Sequence, residues 1–414
     1  MDPFKTTIIR GTVMERTEDK KSLGRRAFLK TAALSGALTG ALTGGVDEAQ
    51  AARGRKRGTV PMKKLGTTGA SIPIIQLGTS QRLDQTYDRI LHGCFKGGVT
   101  AIDTALSYGW GSSHRAVATF LKQMGDRRKV WITSKSRASS TGRFAADLDQ
   151  ALKELRVDYL DLYLMHGIDD EGQLERNWLR MGERLKKTGK TRFFGFSCHD
   201  GNVVELMNKA SRVGGVDVIL FRYNFRRYGD LALNRAIDRA NKAGIGLVAM
   251  KTNGSVPQSA EKVIAFRSRR FTLGQAKLKA VWADERIDSL LSEMDSIRVM
   301  RENIAAARSE INLTAGEFHQ LNRLAALTAH LSCQGCANLC ESAAGGTVKI
   351  ADTLRFLMYH EAYGDAPRAR RLYAELPAAA RDFHGADLAA AAAACPQGIN
   401  IAGRLEAAHR EMTG

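Results

Sequence analysis

Short apolar runs alternate with amphipathic stretches along most of this chain. The runs fall near Ile74, Thr100, Val130, Tyr159, Arg192, Val216, Gly246 and Ser289. Several are apolar on both faces, as in Tyr159-Leu160-Asp161-Leu162-Tyr163-Leu164-Met165, the pattern of parallel strands covered on both sides. Between them apolar residues recur at helical spacing, for example over 144–155, Val203–Val213 and 231–243. Eight strand–helix repeats predict an α/β chain closed into a (β/α)8 TIM barrel. Ahead of the first repeat, 62–66 and 70–72 predict a small hairpin turning at Thr67-Thr68-Gly69, placed to plug the bottom of the barrel. No Gly-x-Gly-x-x-Gly follows the first strand, which disfavours a Rossmann domain.

The N-terminus reads differently. Ser22-Leu23-Gly24-Arg25-Arg26-Ala27-Phe28-Leu29-Lys30 precedes a weakly apolar stretch over 31–45, and Glu48-Ala49-Gln50-Ala51 follows with small residues at cleavage spacing. This resembles a twin-arginine signal, with Gly24 where Ser or Thr is usual. The resemblance implies that 1–51 is a signal peptide, that the twin-arginine export machinery is a partner, and that the mature protein is periplasmic. A basic linker over 52–61 would follow. The apolar stretch is too short and too weak to predict a membrane span.

At 414 residues the chain accommodates a large barrel and a small second domain. Its net charge of +19 suits an acid-attracting surface. The basic residues are dispersed and no recognition motif is present, so nucleic acid is not an expected partner. An acidic redox partner protein remains compatible with that charge.

Chemistry concentrates between 101 and 166. Asp103, Tyr108, Lys135 and His166 each lie at or just past the end of an expected strand, and in a barrel such ends converge on one mouth. Taken singly, such an Asp caps a helix and such a Tyr or His packs in a core. Taken together they form a proton-transfer set. A free tyrosine titrates at about 10, and a neighbouring ammonium lowers that value. Lys135 is placed to be that ammonium, Asp103 to hold it, and His166 to orient a substrate oxygen. The blocks DTALSYGWGSSHRA, WITSK and DYLDLYLMHG resemble the catalytic blocks of the aldo-keto reductase superfamily. The resemblance implies a tyrosine general acid/base, a small carbonyl or alcohol substrate, and NAD(P)(H) as hydride carrier. It also implies cofactor contacts at Ser197, Cys198, Leu220, Met250, Glu302 and Asn303, with Arg298 or Arg301 available to compensate for the acids that stand where a 2′-phosphate is usually gripped. Cys198, Leu220 and Met250 replace the Asn, Gln and aromatic more usual there, and Glu293 and Asp295 occupy the neighbourhood that usually grips a 2′-phosphate. Lys251, past the seventh strand, could alternatively form a Schiff base.

The expected barrel ends near 315, and 316–414 carries a cysteine pattern. Cys333-x2-Cys336-x3-Cys340 is followed far downstream by Cys395-Pro396-Gln397-Gly398-Ile399, with helices expected over 348–360, 367–376 and 401–411. Four thiolates could hold zinc, form two disulfides, or ligate one cubane. The Cys-Pro-x-Gly-Ile phrase resembles 4Fe-4S ferredoxin-like domains and implies one 4Fe-4S cluster on Cys333, Cys336, Cys340 and Cys395. The combined expectation is an NAD(P)-linked oxidoreductase interconverting an aldehyde or ketone and an alcohol. The alternatives are an electron-transfer enzyme coupling a tightly held nicotinamide to an external carrier through the cluster, and a non-catalytic binding protein on the barrel scaffold.

Overall fold

A computed structural model describes residues 59–413. The expected signal peptide and most of the basic linker lie outside the described residues. Eight strands close a barrel: β3 (Ile75–Gly78), β4 (Ala101–Asp103), β5 (Trp131–Ser136), β6 (Leu160–Met165), β7 (Thr191–Cys198), β8 (Val218–Arg222), β9 (Gly246–Met250) and β10 (Ser289–Glu293). Every neighbouring pair is parallel, and β10 pairs with both β9 and β3 to complete the ring. The expected hairpin is β1 (Met62–Lys64) and β2 (Ser71–Pro73), with Met62 opposite Pro73. It seals the underside. The Gly66 N–H donates to Asp288 at 3.0 Å and the Thr67 N–H to the Gly244 carbonyl at 2.8 Å. Gly66 has φ +50°, and a Cβ there would lie 2.3 Å from the Gly244 oxygen, so the plug requires glycine at that position.

The barrel helices are α1 (Arg89–Lys96), α2 (Ser112–Met124), α3 (Thr141–Leu155), α4 (Arg176–Lys187), α5 (Val203–Val213), α6 (Leu231–Lys242), α7 (Leu273–Trp282) and α8 (Ile297–Arg308). Asp88, Ser140, Asp230 and Ser296 cap α1, α3, α6 and α8 through their side-chain oxygens. The period of two along the strands divides the core. Ala101, Trp131, Leu162, Leu164, Val218, Leu220, Val248 and Met250 fill the barrel interior above Leu65 and Ile72 of the plug. Their alternates, such as Ile102, Ile132, Tyr163, Phe194, Phe221 and Leu247, pack outward against the helices. The barrel is thus a filled floor, and the free space lies above the C-terminal strand ends.

After the barrel, α9 (Ala315–Leu327) opens with a Thr314–Glu317 capping box and packs Leu321 and Leu324 against Phe225, Phe271 and Ala276. The chain then turns through the cysteine loop into α10 (Ala337–Ala343), α11 (Ile350–Glu361), α12 (Ala366–Glu375), α13 (Leu388–Ala393) and α14 (Ile401–Thr413). The expected downstream helices are α11, α12 and α14. Among the described residues no helix is long and apolar enough to cross a membrane.

Candidate active site at the barrel mouth

Tyr108, Asp103 and His166 line one cavity of about 360 Å³ above the barrel floor. Each arrives from a strand end. Asp103 is the last residue of β4, Lys135 lies near the end of β5, and His166 follows β6, its N–H donating to the Ser136 carbonyl at 2.8 Å. Lys135 is 2% exposed; its Nζ donates to Asp103 Oδ1 at 2.6 Å and to the Thr104 carbonyl at 2.8 Å. It also sits 5.0 Å from the centroid of the Tyr108 ring, and that ring meets His166 edge-on with centroids 5.8 Å apart. All four residues expected from sequence therefore come together.

Their electrostatics depart from one expectation. The Tyr108 phenol is held well above its ordinary value, first by burial and then by the Asp103 charge, against a smaller opposing pull from Arg368. The ammonium expected to lower it is committed to Asp103, so the pair presents little net positive charge to the ring. Burial also lowers Lys135 and raises Asp103, in each case opposed by the partner's charge. Burial and the surrounding cations hold His166 well below its usual range, so its imidazole is neutral at pH 7. This chemistry suits donation: a phenol that keeps its proton, beside a neutral imidazole.

The expected cofactor contacts scatter. Met250 lines the cavity. Ser197 is buried and accepts from the Gly167 N–H at 2.8 Å, which fixes the turn after His166. Asn303 is also buried and donates to Ser292, a cavity residue, at 2.9 Å. Cys198 points outward into the core between barrel and helices, and burial raises its thiol. Leu220 lies in the barrel interior below the cavity. Arg298 and Glu302 pair with each other at 2.9 Å on the outer turn of α8, and neither lines the cavity. These departures follow from the strand period of two and the helix period of 3.6, which decide facing independently of residue type.

The roof has no signature in the sequence. Helices α11 and α12 lie over the mouth and contribute Arg355, Phe356, Tyr359, Arg368 and Arg371 to the cavity. Arg368 bonds Glu293, at the end of β10, at 3.0 Å, and Lys251, just past β9, donates to the Tyr359 hydroxyl at 2.8 Å. No motif marks these contacts, since their partners are more than 70 residues apart. Buried polar atoms facing this space lack a protein partner: both amide atoms of Gln81, and Nδ1 of His166 and of His199. Such atoms call for a polar ligand or ordered water.

The cysteine loop docks directly behind His199. The Gly201 N–H donates to the Gly335 carbonyl at 2.6 Å, and Arg222 Nη1 donates to the Cys333 carbonyl at 2.5 Å. A Cβ on Gly201 would fall 2.7 Å from Cys336 Cα, so the two loops touch backbone to backbone. All six cysteines are free. Cys340 packs with Cys333 and Cys395 in one apolar cluster, and burial and the neighbouring cysteines raise its thiol to about 12. Among the described residues no group of three or more His, Cys, Asp or Glu side chains is placed to hold a metal ion.

Comparison with known proteins places this barrel. Residues 75–271 match the model of the aldo/keto reductase family. The aldehyde reductase YPR1 of Saccharomyces cerevisiae is 26% identical over 249 residues, spanning 53% of this chain and 78% of its own length. Among solved structures, the holo form of the aldo-keto reductase AKR11C1 from Bacillus halodurans superposes with a TM-score of 0.55 at 20% identity, covering 64% of this chain and 96% of that one. An aldo-keto reductase from Klebsiella pneumoniae in complex with NADPH gives a TM-score of 0.51 at 23% identity, covering 63% of this chain and 94% of that one.

The buried pair gives a prediction. Lys135→Met leaves Asp103 charged and unpaired, and should destabilise the protein by about 3–5 kcal/mol at neutral pH. Burial already raises Asp103, and without Lys135 it rises further, so the folded state of the variant takes up a proton before the unfolded chain does. Acidification should therefore shrink the deficit. Urea melts across pH test this, and a deficit that stays constant as pH falls would argue against an unpaired carboxylate.

Proposed function

We propose that this aldo-keto reductase-like oxidoreductase interconverts an aldehyde or ketone and its alcohol, with Tyr108 donating the proton to the carbonyl oxygen and NAD(P)(H) as cofactor. The observation that carries this reading is the meeting of Tyr108, His166 and Asp103 on one cavity that also presents unpartnered polar atoms, with Lys135 bonded to Asp103. A reduced nicotinamide, when bound, supplies the hydride that no side chain can.

The chain's own residues account for the rest. Neutral His166 can donate to the carbonyl oxygen without adding charge, and so orients the carbon it belongs to. Tyr108, held protonated, passes its proton to that oxygen as negative charge develops there. Lys135 and Asp103 fix the floor on which the phenol ring rests. The roof limits access of bulk water, which strengthens each of these interactions. A dinucleotide bound here would meet Met250 as a polarizable apolar surface beside the cavity, and the unpartnered polar atoms of Gln81 and His199. Glu293, an acid in the neighbourhood where a 2′-phosphate would otherwise be gripped, has its charge taken up by Arg368.

The four cysteines of the C-terminal module suit one 4Fe-4S cluster. They are free, Cys333, Cys340 and Cys395 share an apolar cluster, and Arg222 at the end of β8 and Arg227 beyond it lie near enough to Cys336 to offset an anionic cubane. The backbone contact of the cysteine loop with the loop of His199 supports a second reading, in which these cysteines would hold a cluster that links a tightly held nicotinamide to an external carrier. The N-terminal residues support export by the twin-arginine route to the periplasm, the route taken by proteins folded around their cofactors before transport.

Three outcomes test these proposals. Tyr108→Phe should lower carbonyl-dependent NADPH or NADH oxidation by about 10²–10⁴-fold while leaving cofactor binding, followed by fluorescence titration, intact; an unchanged rate would remove Tyr108 from the mechanism. Anaerobically purified protein should contain iron and acid-labile sulfide in equal amounts, and Cys395→Ser should lose both; zinc without sulfide would replace the cluster. Substitution of Arg25 and Arg26 by Lys should retain the protein in the cytoplasm on cell fractionation, and undiminished export would argue against the twin-arginine route.

A further inference from the structure

One chemical group of the cavity is unused by the reductase mechanism. Lys251 follows β9 and is the lysine that lines the cavity. Its Nζ donates to the Tyr359 hydroxyl at 2.8 Å, and its other two N–H donors have no hydrogen-bond partner among the described residues. No carboxylate pairs with it among those residues: Glu293, the acid that acts on it, is bonded to Arg368 at 3.0 Å. The buried Lys135 and Lys277, by contrast, each hold a carboxylate. Lys251 lies 4.3 Å from the Tyr359 ring centroid, and the Arg368 guanidinium lies 4.0 Å from the same centroid. The backbone is held as firmly as the side chain. Lys251 has φ +57°, and its carbonyl accepts from Asn224 Nδ2 at 2.9 Å and from the Gly254 N–H at 3.1 Å. Strain of this kind persists where surrounding structure over-determines it, and it clusters at functional sites.

We propose that Lys251 condenses with the carbonyl carbon of a small aldehyde or ketone to form an imine, and that the Tyr359 hydroxyl carries the protons of that reaction. The substrate class is an aldehyde or ketone with a C–H bond next to the carbonyl, small enough for the space beneath the roof. This activity shares with the reductase reading only the admission of carbonyl compounds to the cavity, and it needs no nicotinamide. The step balances. The Lys251 nitrogen bonds to the carbonyl carbon, the C–O bond breaks, and two of the three ammonium protons leave with that oxygen as water, passed on by Tyr359. The protonated imine draws electrons from the neighbouring C–H bond. That proton departs to the Tyr359 oxygen, its electron pair forms the C=C bond of an enamine, and the C=N pair returns to nitrogen. A proton from solvent then restores the carbon, so the net reaction exchanges the hydrogen next to the carbonyl with water. Tyr108 and Tyr359 serve different reactions, each in both directions.

A lysine becomes a nucleophile where desolvation or a neighbouring cation disfavours its ammonium. Both act here. Burial lowers the Lys251 ammonium; the Tyr359 phenol opposes the fall, and Arg368 adds to it. Burial raises Tyr359 in turn, but Lys251, Arg368 and Arg355 outweigh it and bring the phenol to about 7. A group that titrates near neutral pH gives and takes protons with the least penalty. Anchoring the roof is the other task of the Lys251–Tyr359 contact, and it needs only a cation that donates to the hydroxyl. Arginine can be that cation, but it stays charged and forms no imine. The two tasks therefore separate under a single substitution.

The test uses the full chain without nicotinamide and reads covalent capture. Acetone is the probe, sodium cyanoborohydride reduces any imine to a stable secondary amine, and peptide mapping by mass spectrometry locates the label. Lys251 should be labelled well ahead of the exposed Lys64 and Lys153. Lys251→Arg should lose the label at that position, and Tyr359→Phe should slow its appearance by about 10²-fold or more. In deuterium oxide the wild type should exchange the methyl hydrogens of acetone, followed by proton NMR, and Lys251→Arg should lose the protein-dependent part of that exchange. Thermal melts confirm that both variants are folded. Labelling of Lys251 no faster than of Lys64 and Lys153, or undiminished exchange in Lys251→Arg, would overturn the proposal. Absence of capture in a protein that still reduces carbonyls would overturn it and leave the reductase reading standing. Capture at Lys251 in a protein that oxidises neither NADPH nor NADH with any carbonyl would sustain it and overturn the reductase reading instead.

Discussion

The Lys135–Asp103 ion pair sets the terms for the rest of the site. Two charges buried 2.6 Å apart are stable only because each answers the other. Once so paired, the ammonium has little effect left for the phenol above it. Tyr108 therefore keeps its proton, and the cavity needs its free positive charge from elsewhere. That charge comes from the opposite side, through Lys251 on the barrel, since Arg355 and Arg368 on the roof answer Asp352 and Glu293.

The roof is thus part of the chemistry as well as a cover. A (β/α)8 barrel commonly builds its site from loops after its own strands. Here a helical module fills that role with two anchors, Arg368 on Glu293 and Tyr359 on Lys251, at the ends of β10 and β9. The cysteine loop supplies a third anchor beside β7 and β8, through Gly201 and Arg222. The module is held at three points around the rim, with the cavity enclosed among them.

The barrel was legible in the sequence because each buried parallel strand leaves a compact apolar signature and each helix a 3.6-residue one. The tetrad was legible because its members sit next to those strands, so a local pattern carries their position. The cofactor contacts were less so. Cys198 is one residue from Ser197, and that single step turns its side chain into the outer core. Glu302 and Asn303 are likewise adjacent, yet one faces solvent with Arg298 while the other is buried against Ser292. Tyr359, Arg355 and Arg368 were illegible as site residues because they look like ordinary members of amphipathic helices. Only the docking of α11 and α12 over the mouth gives them a role, and docking of that kind has no local signature.

The order of the chain carries a consequence for how this cavity comes into being. Tyr359 and Arg368 are synthesised after all eight strands and after Cys333, Cys336 and Cys340, while Cys395 is made later still. A nascent chain that has just completed its barrel has a floor, a tetrad and an open mouth. The roof can settle only once its own small core, built around Phe356, Tyr359, Tyr373 and Met412, draws α11, α12 and α14 together. The interval between those two events is the window in which a large ligand can enter from above without displacing any folded element.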